Sequence, residues 1–211
     1  MSIRVALIED NRTVRETLAM ILEHSPGFAC RHVFCDAETA LAEFPADPPD
    51  VALVDIHLPG MSGIECVRRL KARAPRLQIL MLTIESEAQC VFQSLAAGAS
   101  GYLTKQSAPS ELLAAVNRVL QGGRYITAAL AEQLAQAFET GTEDVPHARL
   151  SDRELQVLRL LGQGKSVSVI AEELCLSVKT ISTYRARILE KLSCESTGEL
   201  IRYAIEAHLI D

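Results

Sequence analysis

Several residue types and patterns are scarce in this chain. Tryptophan is absent, aromatic residues make up 4% of the 211 positions, and none of the six cysteines forms a C-x-x-C pair. The cysteine spacings match neither a zinc site nor the disulfide framework of a small secreted domain. No run approaches the roughly 18 uninterrupted apolar residues of a membrane span, and the chain enters a strand-like run directly, without a signal peptide. We therefore expect a cytoplasmic protein with reduced thiols and no membrane partner.

Charge is distributed unevenly along the chain. The formal net charge is −6, and 48% hydrophobic and 23% charged residues are typical of a globular protein. Residues 1–146 hold 12 basic and 18 acidic side chains, whereas residues 147–211 hold 9 of each. The zero net charge of the C-terminal part does not by itself indicate nucleic-acid binding, which usually requires an excess of basic side chains. Residues 179–191 nevertheless hold four basic side chains against one acidic side chain, so one short segment is basic.

Strand and helix patterns alternate over residues 1–121. Five apolar runs are typical of buried strands, and five segments have apolar residues at helical spacing. The predicted strands cover residues 3–8, 28–33, 50–55, 78–82 and 101–103. This alternation predicts an α/β domain with a five-stranded, doubly wound parallel sheet that helices cover on both faces. Such sheets bind ligands outside the carboxyl ends of the strands, where the strand order reverses.

Residues 122–146 predict a linker, because they end in a stretch rich in Gly, Thr and Pro. A helix is expected near 127–139 within this linker, since Leu130, Leu134 and Phe138 stand at helical spacing. The linker separates the α/β domain from a second domain of different character.

Only helical patterns follow in residues 147–211. They predict an all-α domain of four helices, of which the first begins at the capping box Ser151-x-x-Glu154. A short turn at Leu176-Ser177 separates the second and third helices. Two helices joined by a short turn are typical of a helix-turn-helix.

Charged and hydroxyl side chains stand where the predicted strands end. The first strand ends in Glu9-Asp10, the third in Asp55, the fourth in Thr83 and the fifth in Lys105. Three like charges in one cleft repel each other, and a hard divalent cation such as Mg²⁺ is the simplest compensation. A phosphoryl group could bind there, with Lys105 and Mg²⁺ neutralising its oxygens and Thr83 donating a hydrogen bond. Asp55 is the best candidate nucleophile because it ends the central strand just before a Gly/Pro-rich loop.

Residues 1–121 resemble the receiver domain of two-component response regulators. The matching stretches are Ile8-Glu9-Asp10, Val54-Asp55-Ile56-His57-Leu58-Pro59-Gly60-Met61-Ser62-Gly63, Leu82-Thr83 and Gly98-Ala99-Ser100-Gly101-Tyr102-Leu103-Thr104-Lys105. The resemblance implies that Asp55 accepts a phosphoryl group from a phosphohistidine of a sensor histidine kinase. It also implies that Asp10, Asp55 and the backbone carbonyl of His57 bind Mg²⁺, with Glu9 acting through water. The family more often has Asp where Glu9 stands.

The same resemblance implies roles for three residues on the later strands and their loops. Thr83 and Lys105 would contact the phosphoryl group, and Tyr102 would be the aromatic switch. The side chain of His57 could suggest an acid–base role, but we interpret His57 as a loop residue that contributes only its backbone.

The predicted helix that begins at Ser177 has two distinct faces. At 100° per residue, four side chains fall within about 60° of one another: Lys179, Ser182, Thr183 and Ala186. The opposite, core-like face carries Ile181, Tyr184, Ile188 and Leu192. A face of small polar side chains with one lysine can enter a DNA major groove, and an ordinary solvated helix face is the alternative. The candidate groove and phosphate contacts around this face also include Thr180, Tyr184, Arg187 and Lys191.

Residues 147–211 resemble the LuxR-type DNA-binding domain of the NarL/FixJ group of response regulators. The resembling stretches are Leu150-Ser151-Asp152-Arg153-Glu154-Leu155-Gln156-Val157-Leu158, Gly164-Lys165-Ser166, Ile170-Ala171-Glu172-Glu173-Leu174 and Leu176-Ser177-Val178-Lys179-Thr180-Ile181-Ser182-Thr183-Tyr184. The group often has Lys where Ser182 stands and His where Tyr184 stands. Residues 179–187 resemble the GacA and BvgA branch of this group more than its other members.

Together the two resemblances imply a transcription factor switched by aspartyl phosphorylation, and not an enzyme that turns over an external substrate. Its expected partners are a sensor histidine kinase, double-stranded DNA with inverted half-sites, a second copy in a homodimer, and RNA polymerase as a further candidate. The candidate dimer contact lies in the last helix and comprises Leu200, Ala204 and Ile205.

Two other functions stay open on the sequence alone. Asp55 could serve a Mg²⁺-dependent phosphatase, and the C-terminal helices could bind a protein instead of DNA. A P-loop at Gly164-Lys165-Ser166 is excluded, because Arg159 stands where the first glycine is required. A phosphatase of the haloacid dehalogenase type would show D-x-D, whereas the residue two positions after Asp55 is His57.

Overall fold

The computed structural model describes residues 2–44, 48–83, 88–128, 130–132, 135 and 145–210 of the chain. The chain divides into two compact units, Met1–Gln136 and Ala137–Asp211. Each unit has a hydrophobic core of its own. Within the described parts, no helix is both long enough and apolar enough to cross a membrane.

Six parallel strands form one sheet in the first unit. They are β1 (Ile3–Ile8), β2 (Phe28–Phe34), β3 (Val51–Asp55), β4 (Gln78–Thr83), β5 (Gly101–Thr104) and β6 (Tyr125–Ile126). Their order across the sheet is β2-β1-β3-β4-β5-β6. The predicted parallel α/β fold is confirmed, whereas the predicted count of five strands is wrong. The sixth strand lies in the segment predicted as a linker, and its two residues are too few to show a strand pattern.

Five helices connect the strands of the first unit. They are α1 (Arg12–Glu23), α2 (Ala37–Glu43), α3 (Gly63–Arg73), α4 (Ala88–Ala96) and α5 (Pro109–Leu120). The side chains of Asn11, Asp36 and Ser62 each accept a hydrogen bond from a backbone N–H three residues later, which caps α1, α2 and α3. The N-cap of α5 is Ala108, which makes no side-chain cap hydrogen bond, and Pro109 follows it.

Two hydrophobic layers cover the sheet, one on each face. Successive strand residues point to opposite faces, so β1 contributes Ala6 and Ile8 to one layer and Val5 and Leu7 to the other. Residues of α2, α3 and α4 belong to the first layer, and residues of α1 and α5 belong to the second. All five residues of β3 are buried, as expected for a central strand that is covered on both faces.

The strand order reverses between β1 and β3. β1 pairs with both β2 and β3, and Ile8 lies opposite Phe34 on one side and Val54 on the other. The chain leaves β1 toward α1 in one layer and leaves β3 toward α3 in the other layer. The two connections therefore diverge and leave a crevice at the carboxyl ends of these strands, where α/β sheets bind ligands.

In residues 145–210, the described part of the second unit, four α-helices follow a short 3₁₀ helix at Pro146–Arg149. They are α6 (Asp152–Gly162), α7 (Val167–Glu173), α8 (Val178–Leu192) and α9 (Thr197–Glu206). The capping box predicted at Ser151 and Glu154 is present. Ser166, Ser177 and Ser196 cap the three later helices. The four helices share one core, which confirms the predicted all-α domain.

The helix predicted near residues 127–139 lies only partly within the described residues. Residues 128, 130–132 and 135 are helical, and Leu130 is 1% exposed in a core layer of the first unit. Leu134 and Phe138, on which the same prediction rests, lie outside the described residues.

Candidate functional site

Three carboxylates meet at the crevice between β1 and β3. Glu9 and Asp10 directly follow β1, and Asp55 is the last residue of β3. One carboxylate oxygen of each residue lies within 4.8 Å of those of the other two. Glu9 is 0% exposed and Asp55 is 2% exposed, whereas Asp10 is open to solvent. The fold therefore brings together the three acids that stand at the strand ends.

The ammonium group of Lys105 contacts two of these acids. Its Nζ lies 2.7 Å from Oε2 and 2.9 Å from Oε1 of Glu9. The same atom lies 2.9 Å from Oδ2 of Asp55. The backbone N–H of Lys105 donates a hydrogen bond of 2.6 Å to the carbonyl oxygen of Thr83, so the pairing of β4 and β5 continues to the site. Because the side chain of Lys105 is only 10% exposed, water screens these ion pairs weakly.

Burial and neighbouring charges shift the pKa of Glu9 and that of Lys105. Burial and the negative charge of Asp55 raise the pKa of Glu9, and hydrogen bonds from Lys105 and the N–H of Asn11 offset this rise only in part. Burial by itself would lower the pKa of Lys105, but the charge of Asp55 and the bonds to Glu9 outweigh burial, so the pKa is raised. One ammonium group among three carboxyl groups leaves the cleft with excess negative charge.

The remaining carboxylate oxygens fit a divalent cation. Oδ1 of Asp55 is buried and accepts no hydrogen bond from the described residues. Within the same part of the chain, the carboxylate of Asp10 makes neither a hydrogen bond nor an ion pair; only its backbone oxygen is engaged. A buried carboxylate oxygen without a donor is unfavourable, and hard cations such as Mg²⁺ prefer oxygen ligands of this kind. The acidic cluster therefore has the donor set of a magnesium site.

Thr83 and Tyr102 lie on neighbouring strands of the same sheet. Thr83 ends β4 and is 1% exposed. Tyr102 in β5 lies opposite Met81, so its side chain stands on the same face of the sheet as that of Thr83. Tyr102 is 0% exposed and belongs to the core layer on that face. His57 is half-buried in the loop that follows β3.

Two side chains that no sequence pattern indicated hold the loops of the site. Nη1 of Arg15, in α1, donates hydrogen bonds to the carbonyl oxygens of Glu9 at 2.7 Å and Asp10 at 2.8 Å. Oε1 of Glu38, in α2, accepts a hydrogen bond of 2.9 Å from the N–H of Met61 in the loop after β3. Hydrophobic periodicity carries no information about such contacts, because they join a polar side chain to loop backbone.

Gly63 allows α3 to begin directly beside the end of β3. A Cβ atom at this position would overlap the backbone oxygen of Asp55. The N–H of Gly63 donates a hydrogen bond of 2.9 Å to the carbonyl oxygen of Ile56. Gly63 belongs to the receiver-like stretch of the sequence, but only the structure reveals this close approach to Asp55.

The two faces predicted for α8 are present in the second unit. Ile181, Ile188 and Leu192 are buried in its core, and Tyr184 is half-buried against the same core. The side chains of the opposite face are exposed or half-buried: Lys179, Thr180, Ser182, Thr183, Ala186 and Arg187. The helix therefore presents small polar and basic side chains on one face.

Lys191 is engaged inside the second unit. Its Nζ lies 2.6 Å from Oε2 of Glu154, which is buried, and 3.2 Å from the carbonyl oxygen of Arg149. The ammonium group thus satisfies a buried carboxylate of α6. We assign Lys191 to the packing of the helices and leave it out of the candidate DNA contacts.

The candidate dimer contact in α9 needs a correction. Leu200 and Ala204 are both 0% exposed and belong to the core of the second unit, so they cannot contact a second copy. Ile205 is 55% exposed and is the remaining candidate. An apolar stripe shows that a helix face is covered without showing what covers it, and here the domain that contains α9 covers Leu200 and Ala204.

Known families match both units. Residues 5–117 match the response regulator receiver domain, and residues 148–204 match the bacterial regulatory proteins of the luxR family. The response regulator UvrY of Escherichia coli O6:H1 is 36% identical over 204 residues, which cover 96% of this chain and 94% of UvrY. The response regulator GacA of Pseudomonas viridiflava is 34% identical over 210 residues, which cover 99% of this chain and 98% of GacA. The likeness to GacA agrees with the predicted GacA-like branch.

Solved structures of RcsB are similar to this chain. RcsB from Salmonella enterica serovar Typhimurium, bound to promoter rprA in the presence of the phosphomimetic BeF3⁻, is 26% identical with a TM-score of 0.64. That match covers 96% of this chain and 98% of RcsB. Another structure, of two RcsB dimers bound to two parallel DNAs, has a TM-score of 0.60 at 26% identity. The chain therefore belongs to the two-component response regulators, as a transcription regulator in which a receiver domain precedes a LuxR-type DNA-binding domain.

Proposed function

We propose that Asp55 is the phosphoacceptor of this response regulator and that a sensor histidine kinase supplies the phosphoryl group. One observation carries the proposal: the two oxygens of this buried carboxylate differ. Oδ2 lies 2.9 Å from Nζ of Lys105, while Oδ1 accepts no hydrogen bond from the described residues. The ion pair orients the carboxylate of Asp55, and Oδ1 keeps lone pairs that both the cation and the incoming phosphoryl group can approach.

For phosphoryl transfer, the protein mainly has to position the reacting groups and compensate their negative charge. One carboxylate oxygen of Asp55 forms a bond to phosphorus, the P–N bond of the phosphohistidine breaks, and its electron pair stays on the departing imidazole nitrogen. Lys105 balances negative charge on the phosphoryl oxygens, and the hydroxyl of Thr83 donates a hydrogen bond to one of them. The product is an acyl phosphate on Asp55, and no external substrate is turned over.

Mg²⁺ is the cofactor that we propose for this reaction. Asp10, Asp55 and the backbone carbonyl of His57 would hold it, with Glu9 acting through water. When bound, it supplies positive charge beside the incoming phosphoryl group. The support for this assignment is the cluster of three carboxylates within 4.8 Å, of which Lys105 compensates only part of the charge.

Phosphorylation replaces the single negative charge of the Asp55 carboxylate with the roughly two negative charges of an acyl phosphate, and it adds acceptor oxygens to the crevice. Thr83 moves toward the new group, and Tyr102 follows on the same face of the sheet. This movement shifts an existing equilibrium of the receiver domain toward the state that alters dimerisation and DNA binding. The adjacent positions of Thr83 and Tyr102 on β4 and β5 support this coupling.

α8 is the helix that we propose to lie in the DNA major groove. The groove-facing residues are Lys179, Thr180, Ser182, Thr183 and Ala186, with phosphate contacts from Tyr184 and Arg187. Small side chains allow close approach to base edges, whereas Arg187 sets affinity and register. The exposure of this face, opposite the buried Ile181 and Ile188, supports the assignment.

The regulator acts as a homodimer on inverted half-sites, with Ile205 in the contact between the two DNA-binding domains. Ile205 is the candidate because it is 55% exposed, while Leu200 and Ala204 of the same helix are buried. RNA polymerase is a further partner that we propose for a DNA-bound regulator. A cytoplasmic location follows from the need to reach both the chromosome and the kinase.

Phosphorylation of the full chain tests the proposal. Incubation with Mg²⁺ and a phosphohistidine donor should give one phosphoryl group per chain, stable in acid and labile in base. Asp55→Asn should abolish the label. Asp36→Asn should label normally, because Asn caps α2 as well as Asp does. Normal labelling of Asp55→Asn would overturn the assignment, and sustained hydrolysis of an external phosphate ester would indicate a phosphatase instead.

A further inference from the structure

Arg15 binds the backbone of the loop that carries two of the three acids. Nη1 of this guanidinium donates to the carbonyl oxygens of both Glu9 and Asp10, at 2.7 Å and 2.8 Å. Arg15 is half-buried, and within the described parts of the chain it makes no ion pair with a carboxylate. Its charge-assisted hydrogen bonds therefore go to the loop alone.

The two acids differ in how their own side chains are held. The carboxylate of Glu9 accepts hydrogen bonds from Nζ of Lys105 and from the N–H of Asn11. Asp10 has no comparable support, since within the described residues only its backbone oxygen takes part in a hydrogen bond. The direction in which the Asp10 carboxylate points therefore depends on the conformation of the loop, and Arg15 binds that loop at two adjacent carbonyls.

We propose that Arg15 is a positioning residue for the magnesium site, where it holds the Asp10 carboxylate toward Asp55. The inference rests on the proposed function of Asp10 and Asp55 as metal ligands. Arg15 does not touch the metal or the phosphoryl group. It restricts the loop, so that Asp10 loses less conformational entropy when the cation binds. Groups that orient a metal ligand from outside its coordination sphere commonly change metal affinity by about 10–100-fold.

A titration of the full unphosphorylated chain with MgCl₂, followed by calorimetry, measures this effect directly. Arg15→Ala should raise the Kd for Mg²⁺ about tenfold. Arg15→Lys keeps a positive charge and a donor on a flexible stem, so its Kd should fall between those of the native chain and Arg15→Ala. Arg12→Ala is the matched control, because Arg12 lies on the same helix with its side chain 82% exposed and pairs with Glu16. Its Kd should stay within about twofold of the native value.

The rate of phosphorylation by acetyl phosphate separates positioning from a general loss of structure. For Arg15→Ala the Mg²⁺ concentration at half-maximal rate should rise about tenfold, while the rate at saturating Mg²⁺ stays within about twofold. The midpoint of thermal unfolding in EDTA shows whether the variant folds. If Arg15→Ala does not fold, Arg15→Lys carries the comparison.

The outcomes distinguish this inference from the proposed function. An unchanged Kd in Arg15→Ala, with normal binding by the native chain, overturns the role of Arg15 and leaves the magnesium site intact. A loss of rate at saturating Mg²⁺ with an unchanged Kd also contradicts a positioning role. Absence of Mg²⁺ binding by the native chain overturns the proposed metal site and the inference together.

Discussion

Lys191 and Glu154 form an ion pair that joins the last turn of α8 to the first turn of α6. Nζ of Lys191 lies 2.6 Å from Oε2 of Glu154, and the same oxygen accepts a hydrogen bond of 2.8 Å from the N–H of Ser151. Burial by itself would raise the pKa of Glu154, but the bonds from Lys191 and Ser151 outweigh burial and lower it. The capping box of α6 and the end of the proposed DNA-reading helix thus share one carboxylate.

Loss of this ion pair should destabilise the DNA-binding domain. In Lys191→Met, the buried carboxylate of Glu154 keeps its hydrogen bonds with Ser151 but loses its counter-ion. We expect a loss of about 1–3 kcal/mol in the free energy of unfolding. The loss is smaller than for a fully buried pair because the side chain of Lys191 is 38% exposed. Lys165→Met is the control: the Lys165–Glu173 pair is 31% and 45% exposed, and its loss should cost under about 1 kcal/mol. Urea unfolding of the full chain, monitored by hydrogen exchange in α6 and α8, measures the loss of stability in each of the two variants. Equal losses in Lys191→Met and Lys165→Met would contradict the structural role of Lys191.

The DNA contacts that we propose for α8 can be sorted by their dependence on salt and on sequence. Arg187→Ala should weaken binding to all duplexes alike and reduce the slope of log K against log salt by about 1. Ser182→Ala and Thr183→Ala should change the preferred bases and leave that slope unchanged. Lys191→Met should also leave the slope unchanged, because its ammonium group is engaged by Glu154. Fluorescence anisotropy measures the affinity of all four variants for a panel of duplexes over a range of salt concentrations. A reduced salt slope for Lys191→Met would show that Lys191 does contact a phosphate.

Gly63 should tolerate no side chain. Gly63→Ala brings a Cβ into the backbone oxygen of Asp55, so either the end of β3 or the start of α3 must shift. We expect a loss of about 3 kcal/mol in stability and a marked loss of phosphoryl labelling at Asp55. Gly198→Ala, in the first turn of α9, is the control, because a Cβ there meets only the Ser196 hydroxyl at 3.8 Å. It should leave labelling unchanged and stability within about 1 kcal/mol.

His147 should make the stability of the DNA-binding domain depend on pH near neutrality. Burial lowers the pKa of His147 below its ordinary value of 6.5, and its Nδ1 lies 2.8 Å from the hydroxyl oxygen of Tyr203. The unfolded chain therefore binds a proton at a higher pH than the folded chain does. The stabilisation is fully present above pH 6.5 and is lost as the pH falls toward the lowered pKa of the folded state.

The free energy of unfolding of the full chain between pH 7.5 and about pH 5 tests this dependence. His147→Phe keeps a ring against Tyr203 and should flatten the decline. His24→Gln, which replaces an exposed histidine of the receiver domain, is the control for the loss of one histidine elsewhere in the chain. The same decline in His147→Phe and in the native chain would assign the pH dependence to other groups.

The cluster of acids that we propose as the phosphoacceptor site was largely predictable from the sequence, because its residues follow strands with strong local patterns. Glu9, Asp10 and Asp55 each end an apolar run, and the carboxyl ends of parallel strands meet at one edge of a sheet. Arg15 was not predictable in this way. Its contacts are with loop carbonyls, and neither its spacing nor its neighbours in the sequence distinguish it from the exposed Arg12 on the same helix.

The residues of α9 show where pattern reasoning fails. Leu200, Ala204 and Ile205 form an apolar stripe, and such a stripe predicts burial without indicating the surface that covers it. In the structure α9 packs on α6 within its own domain, which buries the first two residues and leaves Ile205 exposed. For Lys191, likewise, charge alone suggested a phosphate contact, while packing supplies a buried carboxylate at 2.6 Å.

The amino-acid sequence by itself determined the order of strands and helices, the acids at the strand ends and the two-faced helix α8. These features depend on neighbouring residues and on the strand and helix periods of two and 3.6 residues. Both can be read from a short stretch of sequence, without knowing how the chain packs. Only the tertiary structure decided that Arg15 binds the Glu9–Asp10 loop, that β6 joins the sheet, and that Lys191 faces Glu154. Each of these contacts joins groups whose relative positions are defined only after separate elements have packed, and no local pattern records that packing.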